Sequence, residues 1–304
     1  MFLSYGINHL PEKKHGCLFY HLLKLVMFSH NYNSPYLRCD NNKMKYLKRL
    51  AQYLYCIYAL ICFIIIMFLV LPFVLIASFF GIKGGNVVYK FCEIWGRLWY
   101  ACIFIRHKEI YESPVDKNKQ YIFVGNHWSY IDVPSLACSI HQPVRVLGKH
   151  EMAKIPVFGW IYRAAVIVVD RSSPEKRARS VRALKAALRH GISIFIFPEG
   201  TFNETTAPLK DFYDGAFRIA IETKTPIKPL LFIDTIDRMH WRGIFELTPG
   251  RSAVVFMNEI PVDHYHMKDM EILKQHVYEK MEAGLRKYRR PSPKGSIQKI
   301  NINS

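Results

Sequence analysis

A histidine and an aspartate five residues apart, His127 and Asp132, follow the apolar run Tyr121–Val124 in the stretch Gly125-Asn126-His127-Trp128-Ser129-Tyr130-Ile131-Asp132. An imidazole that takes a proton from a hydroxyl needs a carboxylate on its far nitrogen, to fix the tautomer and to stabilise the ring once it is charged. The spacing alone carries little, because 13 His and 10 Asp in 304 residues produce ~0.4 such pairs by chance. His264 and Asp269 share the offset, but they lie in the polar connection Asp263-His264-Tyr265-His266, where a solvated surface is the simpler reading. His127 differs in leaving a buried strand at a sheet edge, where active-site loops gather.

A second motif, Phe197-Pro198-Glu199-Gly200-Thr201, ends another apolar run, Ile192–Phe197, and is expected at the same edge. Alone, such a loop is more often just a turn. Beside the His127–Asp132 pair, Glu199 is expected to orient an acceptor hydroxyl, and Gly200 to let main-chain N–H groups approach a phosphate or a developing oxyanion.

The elements that must position these residues read as an α/β domain. Tyr121–Val124, Val144–Leu147, Ala165–Val169, Ile192–Phe197, Pro229–Ile233 and Ala253–Met257 are short apolar runs of the kind found in strands buried on both faces. Between them lie helix-like stretches. One is capped by Ser173, carries Val181, Leu184 and Leu188 on one face and stops at Gly191; a second spans Asp211–Thr223; a last one runs from about Met267 to Tyr288. Strands alternating with helices imply a mostly parallel central sheet flanked by helices.

Upstream, the 32 residues from Ala51 to Ile82 carry no formal charge, and about 20 apolar residues suffice to cross a bilayer. As one straight helix the stretch would be roughly 48 Å long, more than the ~30 Å of hydrocarbon, so it must tilt, kink near Pro72 or fold back. Lys45, Lys48 and Arg49 precede it, and Lys83, Lys90 and Arg97 follow. Basic residues on both flanks favour a re-entrant or monotopic anchor, a helix or a helical hairpin. The expected organisation is a leader over 1–43, disordered or lying upstream of a natural start at Met44, then an anchoring region over 44–100, the α/β domain over 101–290 and a disordered tail over 291–304.

Composition excludes several classes. Half the residues are hydrophobic and 22% are charged, which a disordered chain does not show. Seven cysteines without a C-x-x-C pair suggest neither a disulfide framework nor a zinc site. The formal charge of +18 asks for an anionic partner. Without a nucleic-acid-reading motif, that partner is expected to be membrane lipid rather than nucleic acid.

These motifs resemble those of the PlsC-type glycerolipid acyltransferases over roughly Met44 to Arg290. Besides Asn126-His127 to Asp132 and Phe197 to Thr201, the stretch from Lys149-His150-Glu151 through Pro156-Val157-Phe158-Gly159 to Val169-Asp170-Arg171 is similar to the family's second block, and Pro226-Ile227-Lys228-Pro229 to its fourth. The resemblance implies a membrane enzyme with its catalytic domain on the cytoplasmic side. It implies transfer of a fatty acyl group from acyl-CoA or acyl carrier protein to a lysolipid hydroxyl, foremost 1-acyl-sn-glycerol-3-phosphate, with no metal, no cofactor and no acyl-enzyme. By this resemblance His127 is the general base, Asp132 orients it, Glu199 completes the catalytic set, and Asn126, Lys149, Arg171, Gly200, Thr201 and the nearby Lys210 meet substrate.

Two positions depart from the family pattern. Phe202 stands where an arginine that grips the acceptor's phosphate is usual, and Asp214 replaces a lysine before Gly215-Ala216. A neutral or zwitterionic acceptor, including a lyso amino-acid lipid, is therefore a contender, as is a non-catalytic lipid-binding protein of the same fold. Arg182, Lys185 and Arg189 form a basic stripe that would suit an acidic carrier protein, an anionic bilayer or plain solvent.

Overall fold

Short apolar runs become strands here because both of their faces are covered. The structure, a computed structural model, describes residues 41–169 and 173–289. Its strands are β1 (Ile105–Tyr111), β2 (Ile122–Gly125), β3 (Val144–Lys149), β4 (Val166–Val169), β5 (Ser193–Ile196), β6 (Ile227–Phe232) and β7 (Gly250–Phe256). They form one seven-stranded sheet in the order β1-β7-β6-β2-β5-β3-β4. Among these strands every pairing is parallel except β6–β7. The mostly parallel sheet is therefore present, with a reversed two-strand flank.

Alternate residues of the central strands feed two cores. Ile122, Val124, Ile194, Ile196, Leu231 and Val255 face one side. It is covered by α5 (Pro174–Arg189), α6 (Gly215–Thr223) and α8 (Met270–Tyr288), whose Leu184, Leu188, Phe217, Ile221, Val277 and Met281 complete that core. Phe123, Phe195, Leu230, Phe232, Val254 and Phe256 face the other side, where Tyr89, Leu136 and Ile140 join them. That side is covered by α2 (Gly81–Cys102) and α3 (Asp132–Ser139). Ser173 caps α5 by accepting the Lys176 N–H at 3.3 Å, and Gly191 (φ +77°) follows it. The second crossover helix starts at Gly215, four residues later than its expected Asp211, because Asp211–Asp214 belong to the loop that wraps the site.

The apolar stretch expected as an anchor folds back. The first helix, α1 (Asn41–Ser78), runs through Pro72 without ending there, and the turn comes at Phe79–Phe80 before α2. Packing bridges the proline: Phe63 of α1 meets Trp95 of α2 at 4.5 Å, and beyond Pro72, Phe73 stacks on Phe91 at 5.2 Å. Near the other end of α2, the Trp99 indole N–H donates to the Ala59 carbonyl at 2.8 Å. Met44–Ser78 is long and apolar enough to cross a membrane. The chain separates into two units, residues 1–54 and 55–304, and the described part of the first is the opening of α1. The expected leader up to residue 40 and the tail over 291–304 lie outside the described residues, as do Asp170-Arg171 at the end of the second block.

Candidate active site

Register brings the two motifs together. In the parallel β2–β5 pair, Val124 is level with Ile196, so His127 and Glu199, each three residues further on, leave the sheet side by side. Gly125 is required at this exit, since an added Cβ would come within 2.8 Å of both Phe195 and Phe232. The Asn126 side chain then acts as a piece of strand. Its Oδ1 accepts the Phe232 N–H at 2.8 Å, and its Nδ2 donates to the Phe232 carbonyl at 3.1 Å. Asn126 is wholly buried and tied to β6, which corrects the expectation that it meets substrate.

His127 is held from several directions. Its Nδ1–H donates to Asp132 Oδ2 at 2.9 Å. The same oxygen accepts the N–H groups of Trp128 at 2.7 Å and Ser129 at 2.8 Å, so the turn that opens α3 closes on the carboxylate it carries. Asp132 Oδ1 is buried and has no hydrogen-bond partner among the described residues. The imidazole stacks on Phe197, with centroids 3.8 Å apart and planes 15° from parallel, and Phe202 tilts against it at 4.3 Å. Tyr130 meets Phe202 edge-on at 4.7 Å. The His127 side chain is 16% exposed, and no hydrogen bond among the described residues engages its Nε2. The ring is thus fixed in plane and tautomer, with one nitrogen left for a substrate.

Glu199 has a different task from the one expected. It is wholly buried; its Oε1 accepts the His127 N–H at 2.8 Å and its Oε2 accepts the Lys210 N–H at 2.9 Å. It therefore staples the two motifs through the backbone and does not reach an acceptor hydroxyl. Burial pushes its carboxyl up to about 7, against the two N–H bonds from Lys210 and His127 that hold it down. Asn203 completes the staple, its N–H donating to the His127 carbonyl at 2.7 Å. Trp128 Nε1–H donates to the Pro208 carbonyl at 3.2 Å. These buried ties from Asn203 and Trp128 escaped the sequence, since nothing in their type or spacing marks them.

Gly200 shapes the turn that ends the second motif. Its N–H closes the turn onto the Phe197 carbonyl at 3.0 Å, and its φ of +72° is the reason a glycine stands there. The Gly200 N–H is spent within the turn. Thr201 is exposed, and its Oγ1 accepts from Lys210 Nζ at 3.0 Å. Lys149 is exposed at the end of β3, at the same edge but two strands from β2, roughly 10 Å across the sheet. Arg171 lies outside the described residues.

The departing positions are also resolved. Phe202 packs on the His127 ring, and Asp214 pairs with Lys274 of α8 at 2.9 Å. Of the fourth block, Lys228 is buried near the opposite end of the sheet, where its Nζ donates to Ser113 Oγ at 2.8 Å and burial lowers its pKa. That block supports the fold and lies away from the catalytic edge. The second His–Asp pair does not form: Asp269 accepts the His266 N–H at 3.0 Å instead, while His264 lies against Tyr265.

The family model described as Acyltransferase matches residues 105–233, which include both motifs. The chain is 28% identical over 233 residues to a 1-acyl-sn-glycerol-3-phosphate acyltransferase of Salmonella typhimurium, a match that covers 74% of this chain and 91% of that protein. It is 26% identical over 197 residues to a chloroplast protein of that name from Brassica napus and 29% identical over 151 residues to one from Cocos nucifera. These matches cover 64% and 49% of this chain; it spans about half the length of the two plant relatives, 56% and 48%. The crystal structure of the 1-acyl-sn-glycerophosphate acyltransferase PlsC from Thermotoga maritima shares the fold, with a TM-score of 0.64, 23% identity and coverage of 82% of this chain and 100% of that one. Over these spans the chain is similar to 1-acyl-sn-glycerol-3-phosphate acyltransferases, and it shares the fold of the solved PlsC structure.

Proposed function

We propose that this protein is a membrane-bound O-acyltransferase that moves a fatty acyl group from an acyl-CoA or acyl carrier protein thioester to the hydroxyl of a lysolipid, foremost converting 1-acyl-sn-glycerol-3-phosphate to phosphatidic acid. The observation that carries this reading is the His127–Asp132 pair, with Nδ1 committed at 2.9 Å and Nε2 unengaged. The printed names of the relatives support the acceptor.

In the reaction, His127 Nε2 accepts the proton of the acceptor hydroxyl as its oxygen bonds to the thioester carbonyl carbon. Asp132 stabilises the imidazolium that forms. The tetrahedral oxyanion collapses, the C–S bond breaks, and the thiolate leaves with the proton that His127 returns. The step as written needs no cofactor beyond the donor. General-base assistance is worth ~10²–10⁴-fold, or about 3–5 kcal/mol of barrier, so His127→Ala should lower turnover by that factor while the protein stays folded. The test is the mass of the lipid product formed from a defined thioester and a panel of lysolipids; a folded protein that acylates none of them refutes the reading.

Two observations favour a second acceptor class. Phe202 fills the place next to the base with an aromatic ring, and Asp214 is engaged by Lys274. A lysolipid without a phosphate monoester, such as a lyso amino-acid lipid, is compatible with that surface. Phe202→Arg would then shift preference toward 1-acyl-sn-glycerol-3-phosphate by about tenfold, the worth of one charge-assisted hydrogen bond. An unchanged acceptor profile would remove Phe202 from the question. The membrane location rests on α1, and the cytoplasmic placement of the catalytic domain follows from the donors.

A further inference from the structure

The catalytic edge of the sheet carries two exposed projections, one on each side of His127. The first is the β3–β4 connection. After Lys149 it forms a 3-10 turn over His150–Lys154 and then α4 (Phe158–Ala165). The second follows β6, with α7 (Thr235–Arg238) and a 3-10 turn over Ile244–Glu246 leading back to β7. In the strand order, β6 is next to β2 on one side and β3 is two strands away on the other. The projections therefore leave the sheet about 15 Å apart, with the His127 loop between them.

Both present large apolar side chains to the outside. Met152, Ile155 and Trp160 on the first, and Ile244 and Phe245 on the second, are between 36% and 57% exposed. Cations accompany them: Lys149, Lys154 and Arg163 on the first, Arg242 on the second, against Glu151 and Glu246. Arg242 lies over the Trp241 ring at 5.0 Å. Apolar and aromatic tips interleaved with basic residues are the composition of an interfacial lipid contact, in which the apolar groups enter the acyl boundary and the cations meet the headgroups.

The backbone of the first projection is held in an uncommon shape. Val157 has φ +63° and ψ −58°, and the Phe158 N–H donates to the Pro156 carbonyl at 2.7 Å. This is the strained hand of the γ-turn, at a β-branched residue that seldom enters this region. Such a conformation persists only where its surroundings impose it, and it concentrates at working surfaces. The turn separates exposed Ile155 from Phe158, which packs inward on Trp95 of α2 at 6.3 Å.

Each projection is joined to one helix of the hairpin. Phe158 joins the first to α2, and the Leu247 carbonyl, just after the second, accepts from Cys56 Sγ of α1 at 3.8 Å. From Ile57 onward α1 exposes a further apolar face that includes Leu60, Ile64, Ile65, Phe68 and Leu69. Buried contacts thus tie both projections to the hairpin whose α1 carries this exposed apolar face. The basic stripe on α5 lies elsewhere: α5 covers the opposite face of the sheet from α2, and its Lys185 pairs with Glu222.

We infer that residues 149–163 and 241–246 are two prongs that dock the catalytic edge onto the surface of a phospholipid bilayer containing anionic lipid, so that the mouth beside His127 opens onto lipid. The inference rests on the acyltransferase reading, and it adds a lipid contact separate from the anchoring helix. Seated on both prongs, the enzyme would take its acceptor from the membrane surface without drawing the whole molecule into water.

The test compares the full-length protein with Ile155→Asp/Ile244→Asp in two assays. One uses substrate in detergent micelles, the other substrate in phosphatidylcholine vesicles with and without phosphatidylglycerol. The expected result is turnover in micelles within twofold of the parent and a KM for vesicle-borne acceptor raised at least tenfold, with the parent favouring the vesicles that contain phosphatidylglycerol. Ile155→Ser/Ile244→Ser, a milder change at the same exposed positions, should give a smaller shift of the same kind. As a readout independent of activity, lipids brominated in the acyl chain should quench the parent's fluorescence, and Trp160→Phe should lose part of that quenching. A vesicle KM within twofold of the parent, an equal loss in both assays for both pairs, or quenching unaffected by Trp160→Phe overturns the inference. Failure of the parent to acylate any lysolipid in micelles would instead sink the acyl-transfer reading.

Discussion

Asp132→Asn separates chemistry from architecture at this site. Oδ2 of Asp132 accepts three donors, the His127 ring and the N–H groups of Trp128 and Ser129, while Oδ1 has no partner among the described residues. An asparagine can place its carbonyl oxygen where Oδ2 stands and its NH₂ where Oδ1 stands. All three bonds survive, and the substitution removes only the negative charge. For an imidazolium 2.9 Å away, an effective dielectric constant of about 20 gives a Coulomb ceiling of ~6 kcal/mol. The partly exposed ring and the amide's residual dipole should reduce this to about 3 kcal/mol, or ~10²-fold in turnover. Steady-state acyl transfer measures the loss, and urea unfolding monitors the fold. The expected result is turnover down ~10²-fold with a midpoint within about 0.5 kcal/mol of the parent. Asp132→Ala, which leaves two buried N–H groups unpaired, should cost ~2–4 kcal/mol of stability as well. Turnover of Asp132→Asn within threefold of the parent would refute the role of the charge. A destabilisation equal to that of Asp132→Ala would refute the proposed placement of the amide.

Further predictions follow from the staple and its neighbours. The Glu199 carboxyl, raised to about 7 by burial, binds its proton more tightly in the folded than in the unfolded chain. Its contribution to stability is therefore complete below ~4.3 and lost as pH climbs through about 7, a loss of about 3 kcal/mol. Glu199→Gln does not titrate, so the parent's melting temperature should fall relative to this variant's between pH 5 and pH 8; a constant difference would contradict the shift. The same variant turns an amide NH₂ toward a backbone N–H and should lower turnover at every pH through displacement of His127. Gly200→Ala, at φ +72°, should cost about 1–2 kcal/mol in urea unfolding, and an unchanged midpoint would deny the strained turn. Asn126→Ala should cost ~2–4 kcal/mol by leaving the Phe232 N–H and C=O groups unpaired, with KM for the acceptor unchanged; a selective rise in KM would restore Asn126 to the substrate.

The sheet was legible where strands are buried on both faces, because continuous apolar runs such as Phe123-Val124 and Leu230-Leu231-Phe232 leave few alternatives. β1 was hidden by the same logic. Ile105–Tyr111 is an edge strand whose Arg106, Lys108 and Glu109 reach toward solvent or one another's partners, and it reads as polar connection. The uncharged run left a tilt, a kink near Pro72 or a fold-back open; the chain folds back at Phe79–Phe80, and packing from Phe63 and Phe73 onto α2 carries the helix across the proline. At the site, the residue types picked out His127 and Asp132, which the structure joins at 2.9 Å. They could not distinguish a side chain aimed at substrate from one satisfying the backbone. Asn126 and Glu199 are polar, central and wholly buried, and both spend their hydrogen-bonding capacity on main-chain groups.

The reversed flank of the sheet gives the hairpin a structural link to the catalytic edge. Since β7 runs antiparallel to β6, and β1 parallel to β7, β1 begins at the edge where β2 ends. The chain leaving α2 at Cys102 therefore enters the sheet at the catalytic edge, and with β1 reversed it would enter ~20 Å away, one strand length down. The last turn of α2 uses this proximity. The Tyr100 hydroxyl, wholly buried, lies 3.1 Å from the carbonyl of Ile131, the residue before Asp132, and 2.7 Å from Ser135 Oγ, which in turn lies 2.9 Å from Ser252 Oγ of β7. The helix returning from the apolar hairpin is thereby bonded to the turn that sets the His127 carboxylate, so a lipid contact on the hairpin and the geometry of the base share one hydrogen-bonded path.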